Sequence, residues 1–217
     1  MAKLVLDENI TRLYSPSARY VSTVTVPELK FLMIDGKIEV GKNIKTSDSF
    51  QKALNVLSGI SFTLKFMSKL DRKNPVDFNI MPMEAMWDLP ENPDLNNRRG
   101  WSWTLMAMQP ENITQEMVDK ATDSLRKKQG EVPALNLIRY EYFHEGSAIQ
   151  IMHVGSPELA SMTHDRMKDY ADYKGYEMTG RYHEIYISDP RHEHPDKERT
   201  IIRHPVNIPE SSDEEKE

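Results

Sequence analysis

RYHEIYIS, residues 181–188, is the stretch that decides the fold. Its alternation predicts a strand with Tyr182, Glu184 and Tyr186 on one side and His183, Ile185 and Ile187 on the other. Working outward, a helical pattern over 157–173 precedes it and ends at Gly175. A strand over 148–154 (AIQIMHV) comes before that helix, and a strand over 200–206 (TIIRHPV) follows the loop carrying Asp189-Pro190. The same order occurs earlier in the chain. LKFLMI at 29–34 is closed by Asp35-Gly36, and a helix over 48–70 opens with Asp48 as N-cap. A strand FNIMPMEAMW at 78–87 carries Pro82, a polar loop spans 88–100, and a strand WSWTLMAM covers 101–108. Each half therefore reads β-α-β-β, and Glu84 and Glu184 match at an offset of 100 residues (184 − 84 = 100). The expected fold is α+β, two duplicated β-α-β-β units at about 28–108 and 148–206. Their antiparallel sheets would meet in a ligand cleft on a pseudo-twofold axis.

The remaining segments fit around this core. A helix over 110–128, with Thr114 capping and Arg126-Lys127-Lys128 at its end, and a strand over 135–143 link the repeats. His144-Glu145-Gly146 reads as a turn. Residues 1–26 read as a poorly ordered leader, 27–207 as the folded domain, and 208–217 as a disordered acidic tail.

Composition narrows the function classes. The 217 residues carry a net charge of −6 without a Lys/Arg block, which argues against direct nucleic-acid binding. With no cysteine, disulfides, thiolate metal sites and a thiol nucleophile are excluded, and a reducing compartment is compatible. No apolar leader or membrane-length run is present, so the expected location is cytoplasmic. His192-Glu193-His194 lies in a polar loop, is followed by Pro195 and has no third ligand cluster evident, and no phosphate-binding loop occurs; no metal or cofactor is expected. The oligomeric state is left open.

Six segments carry a resemblance: KFLMIDGK (30–37), FTLKFM (62–67), WTLMAMQP (103–110), RYEYFHEG (139–146), QIMHVG (150–155) and YHEIYISDPR (182–191). In order and content they resemble the GyrI-like small-molecule-binding family, the effector-binding domains related to the gyrase inhibitory protein and to multidrug-responsive regulators. The resemblance implies a pocket between the repeats with Glu184 as its central carboxylate, and a stand-alone member without DNA-binding helices. It also implies aromatic, amphipathic ligands, cationic or electrophilic. Some such relatives detoxify DNA-alkylating natural products by hydrolysing a cyclopropane; others act by binding alone, or by protein interaction as the gyrase inhibitor does.

Beside that resemblance, the residues suggest the chemistry. A glutamate moved into an aromatic pocket becomes harder to ionise, so Glu184 is expected to have a raised pKa. Hydrolysis would use Glu184 on water, with Glu84, Glu141 or a tyrosine hydroxyl protonating the leaving oxygen. The expected lining is Trp87, Trp103, Tyr140, Met106, Met152, Tyr176, Tyr182 and Tyr186. Indoles offer flat surfaces and thioethers an adaptable one. For each of these, core packing or a solvated face is the competing assignment.

Overall fold

A computed structural model describes residues 2–4, 6–90, 93–95, 97–156, 159–188 and 194–209. In chain order the elements are β1 (Ala2–Lys3), α1 (Glu8–Leu13), β2 (Ser22–Lys37), α2 (Asp48–Lys69), β3 (Val76–Asp77), β4 (Met83–Trp87), β5 (Ser102–Gln109), α3 (Gln115–Gln129), β6 (Arg139–Val154), α4 (Ala160–Lys174), β7 (Glu177–Met178), β8 (Tyr182–Tyr186) and β9 (Arg199–Asn207). The duplicated unit is present: β2-α2-β4-β5 is answered by β6-α4-β8-β9. Antiparallel ladders join β6-β2-β5-β4-β8-β9, and β9 pairs back onto β6, so six strands close into a barrel-like ring. Two small additions complete the sheets: β1 pairs with β3, and β7 with β9.

The helices form where their sequences dictate. In α2 the buried positions Phe50, Ala53, Val56, Leu57, Ile60 and Leu64 recur at three- and four-residue spacing, one stripe facing the sheet. Its N-cap is Ser47, not Asp48: the Ser47 hydroxyl accepts from the Phe50 amide, and Asp48 sits in the first turn, where its charge favours the helix dipole. Thr114 caps α3 by accepting from the Met117 amide. Gly175 ends α4 in the left-handed region at φ 68°, where a side chain would be strained. The buried faces of α2, α4, β5 and β6 make one continuous core around Leu32, Leu57, Leu105, Ile149, Ile151 and Met167. A second cluster, rich in methionine, gathers Phe31, Met33, Met86, Met106 and Met108.

His144-Glu145-Gly146 does not reverse the chain. It lies inside the 16-residue β6, which keeps one register against β2 on both sides, from Ser22 opposite Gln150 to Met33 opposite Arg139. Gly146, at φ 77°, absorbs the local backbone distortion beside Pro27, whose missing N–H leaves no ladder bond to make. Residues 8–13 of the expected leader form a helix, and 22–26 begin β2. The tail from 210 onward lies outside the described residues, as do His192, Glu193, Asp189 and Pro190.

The Asp35-Gly36 pair likewise sits within β2 rather than at a turn, and its glycine has a packing reason. A Cβ at Gly36 would lie 2.2 Å from the Trp103 ring, itself edge-on to Phe50 at 5.2 Å. Gly36→Ala should therefore lower the urea midpoint, at an overpacking cost of about 1–3 kcal/mol. Trp103→Phe in the same chain should recover part of that loss. An unchanged midpoint in the single variant would mean that the indole has room to move.

Candidate functional site

The β4–β8 ladder sets which side chains can meet. It places Met83 opposite Tyr186, Ala85 opposite Glu184 and Trp87 opposite Tyr182. Directly opposed residues share a sheet face, so Glu184, Tyr182, Tyr186 and Trp87 lie on one side. Glu84, opposite Ile185, lies on the other with His183. The offset of 100 residues matches the strands, but an even offset puts the two glutamates on opposite faces. They are not equivalent, and the expectation that both serve one cleft is corrected.

On the Glu184 face a cavity of about 580 Å³ opens between the sheet and the two repeat helices. Phe50, Gln51, Leu54 and Ser58 line it from α2, Ala160 from α4, and Met83, Glu184, Tyr186, Thr200 and Ile202 from the sheet. Ile44 and Lys45 border it before α2, and Arg98 enters from the loop between β4 and β5. His153 is also on its wall, fixed by Thr163 at 2.8 Å and the Ser156 carbonyl at 3.0 Å.

Glu184 is 4% exposed and fully engaged. Arg98 Nη1 and Nη2 each donate to one carboxylate oxygen at 2.6 Å, a fork-to-fork pair. Trp87 Nε1 donates at 3.1 Å and the Tyr186 hydroxyl at 3.0 Å. The Arg98 guanidinium lies 4.7 Å from the Trp87 ring centre and 5.8 Å from that of Trp101, and Phe50 stacks on Trp87 at 5.7 Å. Burial alone would raise the Glu184 pKa, as the sequence suggested. The charge and hydrogen bonds of Arg98, helped by Tyr186 and Trp87, outweigh it and hold the carboxyl below its usual range. The expected rise is thus reversed. Burial, then the neighbouring Glu184 charge, push the Tyr186 phenol well above its ordinary value, so it stays protonated as a donor.

The opposite face holds a second buried network. Glu84 accepts from the Tyr14 hydroxyl at 2.7 Å and faces His183 Nε2 at 3.0 Å. His183 Nδ1 meets Glu145 at 2.9 Å, Glu145 pairs with Arg203 at 3.0 Å, and Arg203 donates to Gln150 and to the Leu13 carbonyl. Burial disfavours charge on His183, but Glu145 and Glu84 overcome it and lift its pKa to about 9. Burial likewise opposes ionisation of Glu145, yet His183 and Arg203 hold its pKa down to about 2. This network ties the segment carrying Leu13 and Tyr14 to the sheet.

Of the residues singled out from sequence, Glu184 and Tyr186 border the cavity, and Trp87 reaches it through its bond to Glu184. Tyr182 is buried on the same face, beside His164 at 5.4 Å. Trp103 is buried against Phe50 and Gly36. The others do not converge. Glu141 lies on the surface paired with Arg139. Tyr140 donates to the Ile113 carbonyl near α3. Met106, opposite Glu84, belongs to the methionine cluster, and Met152, opposite Ile201, shares that far face. Tyr176 packs on the main core, outside the cavity wall. Arg98 was missed because a lone Arg in a polar loop carries no periodic signal; the buried carboxylate's need for a counter-charge was the available clue.

Two outcomes follow for stability. Glu184→Gln leaves Arg98 buried without its carboxylate, so unfolding free energy should fall by about 3–5 kcal/mol, and the double change Arg98→Leu with Glu184→Leu should regain most of it. Chemical denaturation measures both; an unaffected Glu184→Gln protein would mean that the pair is not desolvated. The second concerns pH. His183 binds its proton more tightly folded than unfolded, where its pKa is about 6.5. Its stabilisation is therefore complete below about pH 6.5 and lost as pH rises through about 9, a decline on the order of 3 kcal/mol. His183→Gln should flatten that limb in denaturation curves taken across the window; an equal slope in both proteins would sink the assignment.

No protein-family model and no curated protein matches this chain. Among solved structures it is similar to an uncharacterised conserved protein from Listeria innocua, with 31% identity, coverage of 95% of this chain and 100% of that one, and a TM-score of 0.82. It is also similar to a hydrolase from Listeria innocua, with 32% identity over 95% and 100% of the two chains and a TM-score of 0.78. At 11% identity, 87% and 98% coverage and a TM-score of 0.52, the C-terminal domain of EcmrR shares the fold. With full-length agreement in sequence and architecture, this chain belongs to the family of those Listeria innocua proteins.

Proposed function

We propose that the cavity over Glu184 binds an amphipathic aromatic small molecule, in the manner of the GyrI-like proteins that the sequence resembles. The observation that carries this reading is the make-up of the cavity. It is large enough for a compound of several rings, and its walls combine Phe50, Leu54, Met83 and Ile202 with one buried charged constellation. Apolar walls supply affinity, and the few polar groups fix orientation.

A second reading, hydrolysis of a strained electrophile, is favoured by one pairing: an ionised Glu184 beside the protonated Tyr186 hydroxyl, both bordering the cavity. The relative from Listeria innocua named as a hydrolase supports it further. For a cyclopropane fused to a conjugated ketone, water oriented beside the Glu184–Tyr186 pair would form a bond from its oxygen to the ring CH₂, and the proton it sheds would restore the Tyr186 hydroxyl once that hydroxyl has given its own. The C–C bond to the ring system breaks, and its electron pair passes to the ketone oxygen, which takes a proton to become a phenol. Of the second groups expected from sequence, a tyrosine hydroxyl is supported in that role by Tyr186, which borders the cavity, whereas Glu84 is bonded to Tyr14 and Glu141 to Arg139.

One titration tests both readings. A planar cyclopropane-bearing alkylator is added to the protein, tryptophan emission is followed, and the product mass is then measured. Binding should change the emission of Trp87, so Trp87→Phe should lose most of the response while Trp103→Phe keeps it. A product heavier by one water, formed roughly a hundredfold more slowly by Tyr186→Phe, would establish hydrolysis. Unchanged compound with saturable emission leaves a binding protein. No saturable signal for this or other flat aromatic compounds would remove the cavity from consideration.

A further inference from the structure

We infer that Arg98 is a built-in occupant of a planar-cation subsite, and that by filling it the chain turns its cavity away from cationic aromatic ligands and toward uncharged ones. This rests on the reading that the cavity takes small aromatic molecules, and adds to it the charge of the ligand.

The Arg98 guanidinium has the surroundings of a bound cation. It is flat and positively charged, and it is held edge-on by both oxygens of Glu184 at 2.6 Å. It is held face-on by two indoles, Trp87 at 4.7 Å and Trp101 at 5.8 Å. A carboxylate at the floor with indole faces beside it is the combination that recognises planar cations in general. Arg98 and Glu184 themselves border the cavity, with the two indoles behind them, so a ligand entering it meets the filled pair. The rest of the residue's setting is that of a plug rather than of a stem in the core. Arg98 reaches in from the loop between β4 and β5, its Nε donating to the Leu95 carbonyl at 3.2 Å, with no strand or helix holding its backbone.

Charge accounting gives the consequence. With Arg98 in place, the carboxylate has its counter-ion, and a cationic ligand gains nothing from Glu184 unless it expels the guanidinium. That competitor is attached to the same chain, so its effective concentration at the carboxylate far exceeds that of a dilute ligand. An uncharged ring system needs no such displacement and can lie beside the filled subsite. If the side chain is shortened, Glu184 keeps Trp87 and Tyr186 as donors but lacks a counter-charge, and a planar cation from solution can supply it.

The test compares acridone, which is flat and neutral, with its close analogue N-methylacridinium, which is flat and cationic. Methylguanidinium serves as a minimal mimic of the lost side chain. The wild-type protein should bind acridone and discriminate against N-methylacridinium. Arg98→Ala should bind N-methylacridinium at least tenfold more tightly than wild type does. It should also show a rise in melting temperature with methylguanidinium that wild type lacks. Arg98→Ala combined with Glu184→Gln should lose both gains. Should Arg98→Ala not fold, Arg98→Gln, which retains an amide donor toward the carboxylate without charge, replaces it and should show a smaller gain in the same direction. The inference is overturned if the folded single variant binds the cation no better than wild type, or if the gain survives Glu184→Gln. Failure of acridone to bind either protein, together with a methylguanidinium response confined to the variant, would discard the small-molecule cavity while leaving the cation subsite intact.

Discussion

The antiparallel ladder between β4 and β8 is the contact on which the rest of the molecule hangs, because it joins the repeats and fixes what each face presents. Opposing Ala85 to Glu184 sends Glu184 and its tyrosine neighbours toward the helices, and sends Glu84 and His183 to the far side. A slip of one residue would exchange the two sets. It would bring an ionised pair into the methionine cluster and leave His183 facing the α2 side without Glu145. Two buried charge networks placed back to back on one sheet thus make its register costly to change. Each carboxylate is stabilised only beside the particular cation that it meets.

Those two networks solve the same electrostatic problem differently. Around Glu184 a single arginine provides the counter-charge and two further donors complete the shell, so one carboxylate and one guanidinium balance. Around His183, two carboxylates and two cationic groups alternate: Glu84, His183, Glu145, Arg203. A histidine there needs both flanking acids to remain charged despite burial, which is why its affinity for a proton rises while that of Glu145 falls. The first network borders open space and the second is packed shut beneath Tyr14, a division that separates ligand chemistry from fold holding on the same pair of strands.

Much of the architecture could be read in the sequence because it is written in periodicity. The apolar stripe of α2, the alternation of 182–186, the capping threonine of α3 and the glycine after α4 all came through. Glu184 and Tyr186 were legible as well, since neighbours on one strand face need no tertiary information. What did not come through depends on partners distant in sequence. Gly146 looks like a turn until β2 is seen running past it, and Glu84 looks equivalent to Glu184 until register assigns the faces. Arg98 gives no local sign of its role, because a loop residue 86 positions from its carboxylate is brought there by the closing of the ring. The electrostatic expectation failed for the same reason: the direction of a buried carboxylate's shift is decided by the counter-ion, and the counter-ion was the residue not seen.

The closed ring also bears on how the molecule comes to be made. The ladder between β2 and β6 joins Ser22 to Gln150, and the last closure, β6 with β9, uses strands ending near residue 207. When only the first β-α-β-β unit has left the ribosome, β2 lacks β6 and β4 lacks β8, so both rims of its three-stranded sheet show unpaired N–H and C=O groups above an apolar floor. Such a half-sheet is a template for another copy of itself, and its closest mimic of β8 is the β4 of a neighbouring nascent chain. Slow, non-local closure of this kind sets a window in which folding competes with association between chains. Glu84, on that bare rim strand before its partner His183 has been made, puts like charges on one face of the sheet when two β4 strands pair.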